Sequence, residues 1–388
     1  MTRKSPAGPE IPSQRLAGVR RRLLAWYDEH HRRLPWRASP GSGAPADAYH
    51  VLVSETMLQQ TQVATVEPYF TRFIERWPTI ADLAAASEQD VLTQWQGLGY
   101  YRRARQLHAA ARAVAESHGG VIPRDVAQLL ELPGVGRYSA GAVASIAFGQ
   151  SEPIVDGNVA RVLARCFAID EPVDAPAGRD RLWALAARLV PGARRSATRG
   201  RANPPGDFNQ ALMELGALVC TPRRPHCDAC PLRSVCAARA AGDVDRLPIK
   251  RSRKSPLPVQ HHVLAIERRG RHLFQQRPAD GLRSHMWQLP TMELTPQAAA
   301  PAIGDSADAL RRWVRATLGL QCAQMTPVQT FEHRTTHRCI AFHVWSVREV
   351  SGRLRRNAGV WRPLSQIDDL PLSNAQQRIV RSLLSGVG

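Results

Sequence analysis

Lysine is nearly absent from this chain of 388 residues, although the formal net charge is +19. Lys4, Lys250 and Lys254 are its lysines, so residues 5–249 contain none. Covalent chemistry that begins with a lysine amine, such as Schiff-base formation, therefore has no nucleophile in that stretch. The arginine-rich charge favours a polyanionic partner, although a compositional bias toward arginine would produce the same excess.

Long apolar runs are also missing. No run of 18 apolar residues, the length that could span a membrane, occurs in the sequence. Residues 1–15, MTRKSPAGPEIPSQR, lack the apolar segment of a secretory signal, so we expect a short disordered tail. The seven cysteines do not form a disulfide framework. This usage is typical of a reducing compartment, and we expect a cytoplasmic protein.

The first large segment, residues 16–245, has the pattern of a helical domain. Val66, Phe70, Phe73 and Trp77 recur at helical spacing. Glycine and proline turns divide the segment into short helices. We therefore predict an all-α first domain.

A different pattern follows residues 246–258, which are rich in proline and charge and are typical of a linker. Beyond it, alternation such as Ile340, Phe342 and Val344 predicts strands. Two helices are expected among them, at 306–318 and 373–384. Residues 259–388 are therefore predicted to form a smaller α+β domain.

Four cysteines lie within seventeen residues, in the spacing C-x6-C-x2-C-x5-C: Cys220, Cys227, Cys230 and Cys236. Such short loops would strain a disulfide. A structural zinc site usually has two C-x2-C pairs, and this segment has one. A 4Fe–4S cluster takes four thiolates in varied compact spacings. We predict a 4Fe–4S cluster, with a zinc site or uncoordinated thiols as the alternatives.

Glu55 lies on an apolar helical face, four residues after Val51 and three before Leu58, in a helix predicted over residues 51–62. Burial there would raise the pKa of Glu55 and make it a general acid near neutral pH. A glutamate in a salt bridge to an arginine is the alternative interpretation.

Asp156 follows a short apolar run and precedes a predicted helix. Asp156 or Asn158 could simply cap that helix. A carboxylate at a helix N-terminus is also favoured as the anion by the helix dipole and backbone N–H groups. An acid and a fixed anion on opposite sides of a sugar are what cleavage of a glycosidic bond requires.

The segment Leu132-Pro-Gly134-Val-Gly136-Arg137 lies between two predicted helices. Its glycines let the backbone approach a ligand, and the N–H groups of the next helix can then meet a phosphate. With its flanking helices it is typical of a helix-hairpin-helix motif, which positions DNA without reading its sequence. Gly134, Gly136 and Arg137 are the candidate phosphate contacts.

Taken together, these motifs resemble the adenine DNA glycosylases of the MutY type, in the endonuclease III superfamily. Besides the cysteine loop and the hairpin motif, five further segments match this family: Leu34-Pro-Trp-Arg37, Ser54-Glu-Thr-Met-Leu-Gln-Gln-Thr-Gln62, Gly97-Leu-Gly-Tyr-Tyr101, Val155-Asp-Gly-Asn158 and Phe208-Asn-Gln210. The resemblance implies a helical glycosylase domain with a 4Fe–4S loop, followed by a Nudix-like domain. It implies excision of adenine opposite 8-oxoguanine or guanine in double-stranded DNA.

By this resemblance, Glu55 protonates the adenine, Asp156 stabilises the cationic sugar and Asn158 helps to position the reacting groups. The remaining substrate contacts in the first domain would be Trp36, Arg37, Gln60, Tyr100, Tyr138 and Gln210. Gln60 and Tyr100 would wedge into the base stack, because a flipped base leaves a gap. Core packing is the alternative interpretation for Trp36 and Tyr100.

Strand-cutting relatives carry a lysine just after the hairpin turn, and here that position is Tyr138. The resemblance therefore implies base removal by water that leaves an abasic site. A pyrimidine-damage glycosylase with lyase activity and a non-catalytic cluster protein remain the competing hypotheses.

The second domain lacks the glutamates of a working Nudix hydrolase. Where R-E-x-x-E-E-x-G is expected, residues 312–319 place Trp313, Ala316 and Thr317 at the glutamate positions. We therefore expect this domain to bind and not to hydrolyse.

Recognition of 8-oxoguanine by the family involves a Phe-Ser-His loop, which here is Thr335-Thr336-His337. Thr336 and His337 are the candidate contacts, while the aromatic residue is missing. Solvated surface is the alternative for His337. We expect a monomer with no membrane partner, located at the bacterial nucleoid.

Overall fold

The computed structural model describes residues 11–38, 46–192, 203–252, 255–279, 281, 284–294, 303–335, 337–367 and 369–385, with the backbone alone at 303–306. The chain forms two compact units. The first contains the residues up to Ala85 together with Gln106–Ser252. The second contains Ala86–Arg105 and the residues after Ser252.

Helices α1 to α12 precede the sheet. They are α1 Ser13–His30, α2 Ala48–Leu58, α3 Val63–Arg76, α4 Ile80–Ala85, α5 Glu88–Gln94, α6 Arg102–Ser117, α7 Val126–Glu131, α8 Arg137–Ala142, α9 Gly157–Phe167, α10 Pro176–Leu189, α11 Pro204–Leu218 and α12 Ala237–Ala241. A π-helical turn at Val143–Ala147 extends α8, and a 3-10 turn occupies Cys227–Ala229. Among the described helices, none is long and apolar enough to cross a bilayer.

The helical spacing read from the sequence produces the core of the first unit. On α3, Val66, Phe70 and Phe73 are buried along one face, as predicted. Helix α2 is apolar nearly all round and is buried from Val51 to Met57. A helix buried in this way holds any polar side chain that it carries away from water.

The second unit contains a mixed seven-stranded sheet. Its strands are β1 Leu257–Arg268, β2 Arg271–Gln276, β3 Trp287–Gln288, β4 Thr291–Leu294, β5 Leu320–Arg334, β6 Arg338–Gly352 and β7 Val360–Arg362, with helices α13 Ile303–Leu318 and α14 Asn374–Leu384. The central order is β3-β2-β1-β6-β5, with β4 paired to β1 and β7 to β2. Strands β1 and β6 are parallel, and the other pairs are antiparallel.

Alternation along β1 divides the core of this unit between the two faces of the sheet. Val263 and Ala265 pack in the cluster that includes α14. Leu264 and Ile266 pack in the cluster that includes α13. This is the period-2 pattern of a strand covered on both sides.

The observed boundaries differ from the predicted ones in three places. Helix α1 begins at Ser13, three residues inside the predicted tail. Strand β1 begins at Leu257, inside the predicted linker, because its backbone pairs with Arg338 of β6. Residues 86–105 group with the second unit. The proposed domain limits of 16–245 and 259–388 stay a prediction.

Candidate active site

Glu55 lies on α2 and is 5% exposed. The phenolic hydroxyl of Tyr138, on α8, donates a hydrogen bond to its Oε2 at 2.5 Å. Burial raises the pKa of Glu55 to about 7, while the Tyr138 hydrogen bond lowers it and the negative charge of Asp156 raises it. The side chain is therefore poised to give up a proton near neutral pH.

The alternative interpretation of Glu55, a salt bridge to an arginine, is wrong. Within the described part of the chain, no arginine lies at salt-bridge distance from Glu55. Arg37 is directed instead to Glu214, with Nη2 at 2.8 Å from Oε2.

Asp156 is the N-cap of α9. Its Oδ1 accepts from the Val159 N–H at 2.6 Å, and its Oδ2 accepts from Asn158 Nδ2 at 3.1 Å. The expected hydrogen bonds at the helix start are thus present. The pKa of Asp156 is nevertheless raised, because burial outweighs the lowering by Val159 and Asn158. The hydrogen bonds at the helix start thus oppose the effect of burial, and the anionic form of Asp156 stays a prediction.

Both carboxylates line one cavity of ≈ 910 Å³ in the first unit. This volume lies in the range of sites that hold small organic molecules. Predicted contacts that also line it are Trp36, Arg37, Gln60, Tyr138, Asn158 and Gln210. The structure thus brings together an acid, a second carboxylate and most of the candidate contacts.

Trp36 is held by core packing, and Gln60 has an uncommon backbone conformation. Trp36 is 6% exposed and packs edge-on against Phe70, with ring centroids 5.3 Å apart. The core interpretation of Trp36 is therefore correct, and the residue borders the cavity as well. Gln60 has φ +60 in the turn after α2, which ends at Leu58, four residues before the predicted end of the helix.

Glu214, which is buried on α11, also belongs to the site but was not among the predicted residues. Arg32 donates to both of its carboxylate oxygens, at 2.8 and 3.0 Å, and Arg37 donates to Oε2. Burial alone would raise the pKa of Glu214, but these arginines lower it to about 2. The available signal was a lone acidic residue in the otherwise apolar segment 211–218.

The side chain of Asn158 is held by a hydrogen bond from Arg161, which also lies on α9. Arg161 Nη2 donates to Asn158 Oδ1 at 2.8 Å and to the Gly216 carbonyl at 2.7 Å. Its Nε donates to the Cys220 carbonyl at 2.7 Å. A Cβ at Gly216 would lie 2.6 Å from the Cβ of Asn158, so α11 approaches closely only because residue 216 is glycine.

The hairpin turn has the predicted backbone. Helix α7 ends before it, and Gly136 is the N-cap of α8. Gly134 has φ +76, and a Cβ there would lie 2.5 Å from the Cβ of Gln106. The guanidinium of Arg137 lies over the ring of Trp183, at 4.0 Å from its centroid.

Four cysteines and Arg165 line a second, smaller cavity: Cys220, Cys227, Cys230 and Cys236. Arg165 donates to Cys220 Sγ at 3.5 Å and to the Thr221 carbonyl at 2.7 Å. In the part of the chain that the structure describes, no three His, Cys, Asp or Glu side chains are placed to hold a single metal ion. Thiols that surround a space without converging on a point fit a multi-atom cluster better than one zinc ion.

The other candidate contacts belong to the second unit. Tyr100 is 50% exposed, so its core interpretation is wrong. His337 is exposed in the turn between β5 and β6, which agrees with both interpretations of it. Thr336 lies outside the described residues.

Three protein families match parts of the chain. Residues 53–185 match the HhH-GPD superfamily base excision DNA repair proteins, and residues 262–382 match the NUDIX domain. Residues 220–236 match the iron–sulfur binding domain of endonuclease III. The cofactor is therefore a 4Fe–4S cluster, as predicted.

Curated relatives match over a larger part of the chain. It is 42% identical over 322 residues to adenine DNA glycosylase of Homo sapiens, covering 71% of this chain and 57% of that protein. The chain thus spans less than two thirds of the length of the human relative. It is 48% identical over 220 residues to adenine DNA glycosylase of Mycolicibacterium smegmatis, covering 57% of this chain and 69% of that protein.

The adenine DNA glycosylase of Schizosaccharomyces pombe is 35% identical over 328 residues, covering 71% of this chain and 69% of that protein. Because the mycobacterial and fission-yeast proteins are each matched over more than two thirds of their length, the chain belongs to the adenine DNA glycosylase family.

Proposed function

We propose that this chain is a monofunctional DNA glycosylase that hydrolyses the N-glycosidic bond of adenine opposite 8-oxoguanine or guanine. The product is an abasic site in double-stranded DNA. The observation that carries this proposal is the shared cavity, in which Glu55, with its raised pKa, and Asp156 meet.

Glu55 supplies the proton. Adenine is a poor leaving group as an anion, and a protonated ring leaves as a neutral base. A carboxylic acid with a pKa of about 7 is still largely protonated at slightly acidic pH and returns to its anion easily. Tyr138 donates to Glu55 Oε2, so the other carboxyl oxygen is the one that can carry the proton to the base.

Asp156 supplies the negative charge that stabilises the cationic sugar. Its two hydrogen bonds fix both oxygens, so the carboxylate does not need to reorganise as charge develops. Asn158 provides one of these hydrogen bonds and is itself held by Arg161. Water then attacks the sugar, and in this proposal Asp156 accepts its proton.

Tyr138 supports hydrolysis over lyase chemistry. It occupies the position at which strand-cutting relatives carry their lysine, and its hydroxyl is directed to Glu55. Burial raises the pKa of Tyr138 above its ordinary value, as does the negative charge of Glu55. A protonated phenol of this kind can orient the acid but cannot form a Schiff base.

DNA is bound, in this proposal, by the hairpin turn and by exposed arginines. Gly134, Gly136 and Arg137 contact phosphates, and Gln60 and Tyr100 enter the base stack beside the damaged partner base. The second unit recognises 8-oxoguanine through Thr336 and His337. It has no hydrolase activity of its own, because the α13 positions that correspond to the metal-binding glutamates are Trp313, Ala316 and Thr317.

We further propose that Cys220, Cys227, Cys230 and Cys236 ligate the 4Fe–4S cluster, which has a structural role. These thiolates would hold the loop that carries the exposed Arg223, Arg224 and Arg233 toward the DNA backbone. The protein would act as a monomer at the bacterial nucleoid.

One assay tests the proposed reaction. Duplexes with adenine opposite 8-oxoguanine, with adenine opposite guanine, with an oxidised pyrimidine, and without damage are incubated with the protein, with and without alkali. We expect strand breaks only after alkali and only for the two adenine mispairs. The Glu55→Gln variant should lose about 10²–10⁴ in rate, the usual contribution of a general acid, while still binding DNA.

Other outcomes point to other functions. Breaks at oxidised pyrimidines without alkali, together with a borohydride-trapped covalent adduct, would establish a lyase. Binding without any base release would establish a non-catalytic protein. Near-normal turnover by Glu55→Gln would remove Glu55 from the role of acid.

A further inference from the structure

Tyr100 lies in a turn of the second unit that has an uncommon backbone. Gly97 and Gly99 have φ +107 and +74, and Tyr100 itself has φ +49. A bulky side chain rarely adopts this left-handed conformation, because its Cβ crowds the backbone. Such a conformation persists where neighbouring contacts hold it in place.

Arg103 provides contacts of that kind. It is 7% exposed, and its guanidinium carbon lies 5.4 Å from the centroid of the Tyr100 ring and 5.5 Å from that of Trp95. Arg103 Nη2 donates to the Gly99 carbonyl at 3.2 Å, and Trp95 Nε1 donates to the same oxygen at 3.1 Å. One buried cation therefore contacts both the peptide before Tyr100 and the face of the Tyr100 ring.

The location is an unfavourable one for a cation. Arg103 is the second residue of α6, and the N-terminus of a helix repels positive charge. Burial also disfavours the charged form and lowers the pKa of Arg103 to about 10. An apolar side chain of similar volume would pack there without either cost. The presence of a guanidinium thus indicates a task that depends on its charge and its planar donors.

We propose that Arg103 is a positioning residue that fixes the half-exposed ring of Tyr100 in the orientation in which it enters the DNA base stack. This inference rests on the proposed role of Tyr100. A ring that is oriented before binding loses less conformational freedom when it inserts, so the complex is tighter.

The test measures insertion of the ring directly. The full chain carrying Glu55→Gln, which keeps the substrate intact, is titrated with a duplex that has adenine opposite 8-oxoguanine and 2-aminopurine as the neighbouring base. We expect Arg103→Met to raise Kd by about 3- to 10-fold, the scale of ordering one large side chain. The change in 2-aminopurine fluorescence at saturation should shrink as well. Arg103→Lys should behave like Arg103→Met, since it lacks the planar fork.

A second background separates positioning from general damage to the fold. In Tyr100→Ala, the Arg103→Met substitution should cause no further loss of affinity, because the ring that it orients is gone. The matched control is Arg102→Met, which removes an exposed arginine from the same turn. Any effect of Arg102→Met should be equal in the two backgrounds. If Arg103→Met does not fold, Arg103→Gln is carried through the same comparison.

Each contrary outcome has a separate meaning. Equal losses from Arg103→Met with and without Tyr100 would overturn the positioning role and leave the proposed function intact. An unchanged Kd and fluorescence in Tyr100→Ala alone would instead remove Tyr100 from the base stack, and the inference would fail with it. The Tyr100→Ala substitution is also made in the chain that keeps Glu55. Unchanged glycosylase activity of that variant would confirm that Tyr100 does not enter the base stack.

Discussion

Three carboxyl groups of the first unit have different hydrogen-bond partners, and their pKa values shift accordingly. Glu55 has a neutral phenol as its donor, and its pKa rises to about 7. Glu214 has two guanidinium groups, and its pKa falls to about 2. Asp156 has an amide and a backbone N–H, and burial still raises its pKa. Burial beside a single neutral phenol therefore leaves Glu55 with a proton to donate near neutral pH.

The raised pKa of Glu55 should make Glu55→Gln more stable at alkaline pH. Between pH 4.5 and about 7 the folded protein keeps a proton that the unfolded chain has lost, so stability falls as pH rises through this window. Above it, removing the ionisable group should add up to about 3 kcal/mol to the free energy of unfolding. At pH 4 the gain should be close to zero. Urea unfolding followed by tryptophan fluorescence at pH 4 and pH 8 measures the difference.

The exposed Glu75→Gln is the matched control for this comparison, since its side chain lies in water. It should change the free energy of unfolding little at either pH. An equal gain for Glu55→Gln at pH 4 and pH 8 would show that burial does not set the proton affinity of Glu55.

Helix α9 is capped by the candidate catalytic carboxylate and also contacts the cysteine loop. Its first residues are capped by Asp156. One and two turns later, Arg161 and Arg165 donate to the carbonyls of Cys220 and Thr221. The loop of cysteines and the candidate catalytic carboxylate are therefore attached to the same rigid element.

Loss of the cluster should loosen the start of α9. The Cys236→Ser variant, depleted of iron, should exchange the Val159 amide hydrogen about 5-fold faster, the effect of losing a cap worth about 1 kcal/mol. Hydrogen–deuterium exchange read out by mass spectrometry tests this, with peptides from α3 as the internal control. Protection of α9 that stays unchanged while activity disappears would show that the cluster does not act through this helix.

The net charge of the whole molecule predicts how DNA binding responds to salt. Phosphate contacts release counterions, so a protein that makes six of them should lose about 10³-fold in affinity between 50 and 200 mM salt. Fluorescence anisotropy of the Glu55→Gln chain with the 8-oxoguanine duplex measures this slope. Arg137→Ala should make the slope shallower by about one phosphate contact. A slope near zero would contradict an interface dominated by arginines.

Local patterns of the sequence predicted much of the molecule. Glu55 was found from its place on an apolar helical face and Asp156 from its place before a helix, and the strands of the second unit were found from their alternation. The pairing of Glu214 with Arg32 and Arg37 was missed because those partners lie 182 and 177 positions away. The early end of α2 was missed because the residues after Leu58 carry no glycine or proline to mark it, although Gln60 has a positive φ.

Gly216 illustrates how a residue without reactive groups can restrict the substitutions that the candidate site tolerates. Any larger residue there would push Asn158 off the backbone of α11, and the disturbance would reach the carboxylate that Asn158 orients. A saturation screen scored by mutation rate in cells should therefore rank Gly216 among the least replaceable residues, together with Glu55. A search for functionally important positions that considers only charged or polar residues would miss Gly216.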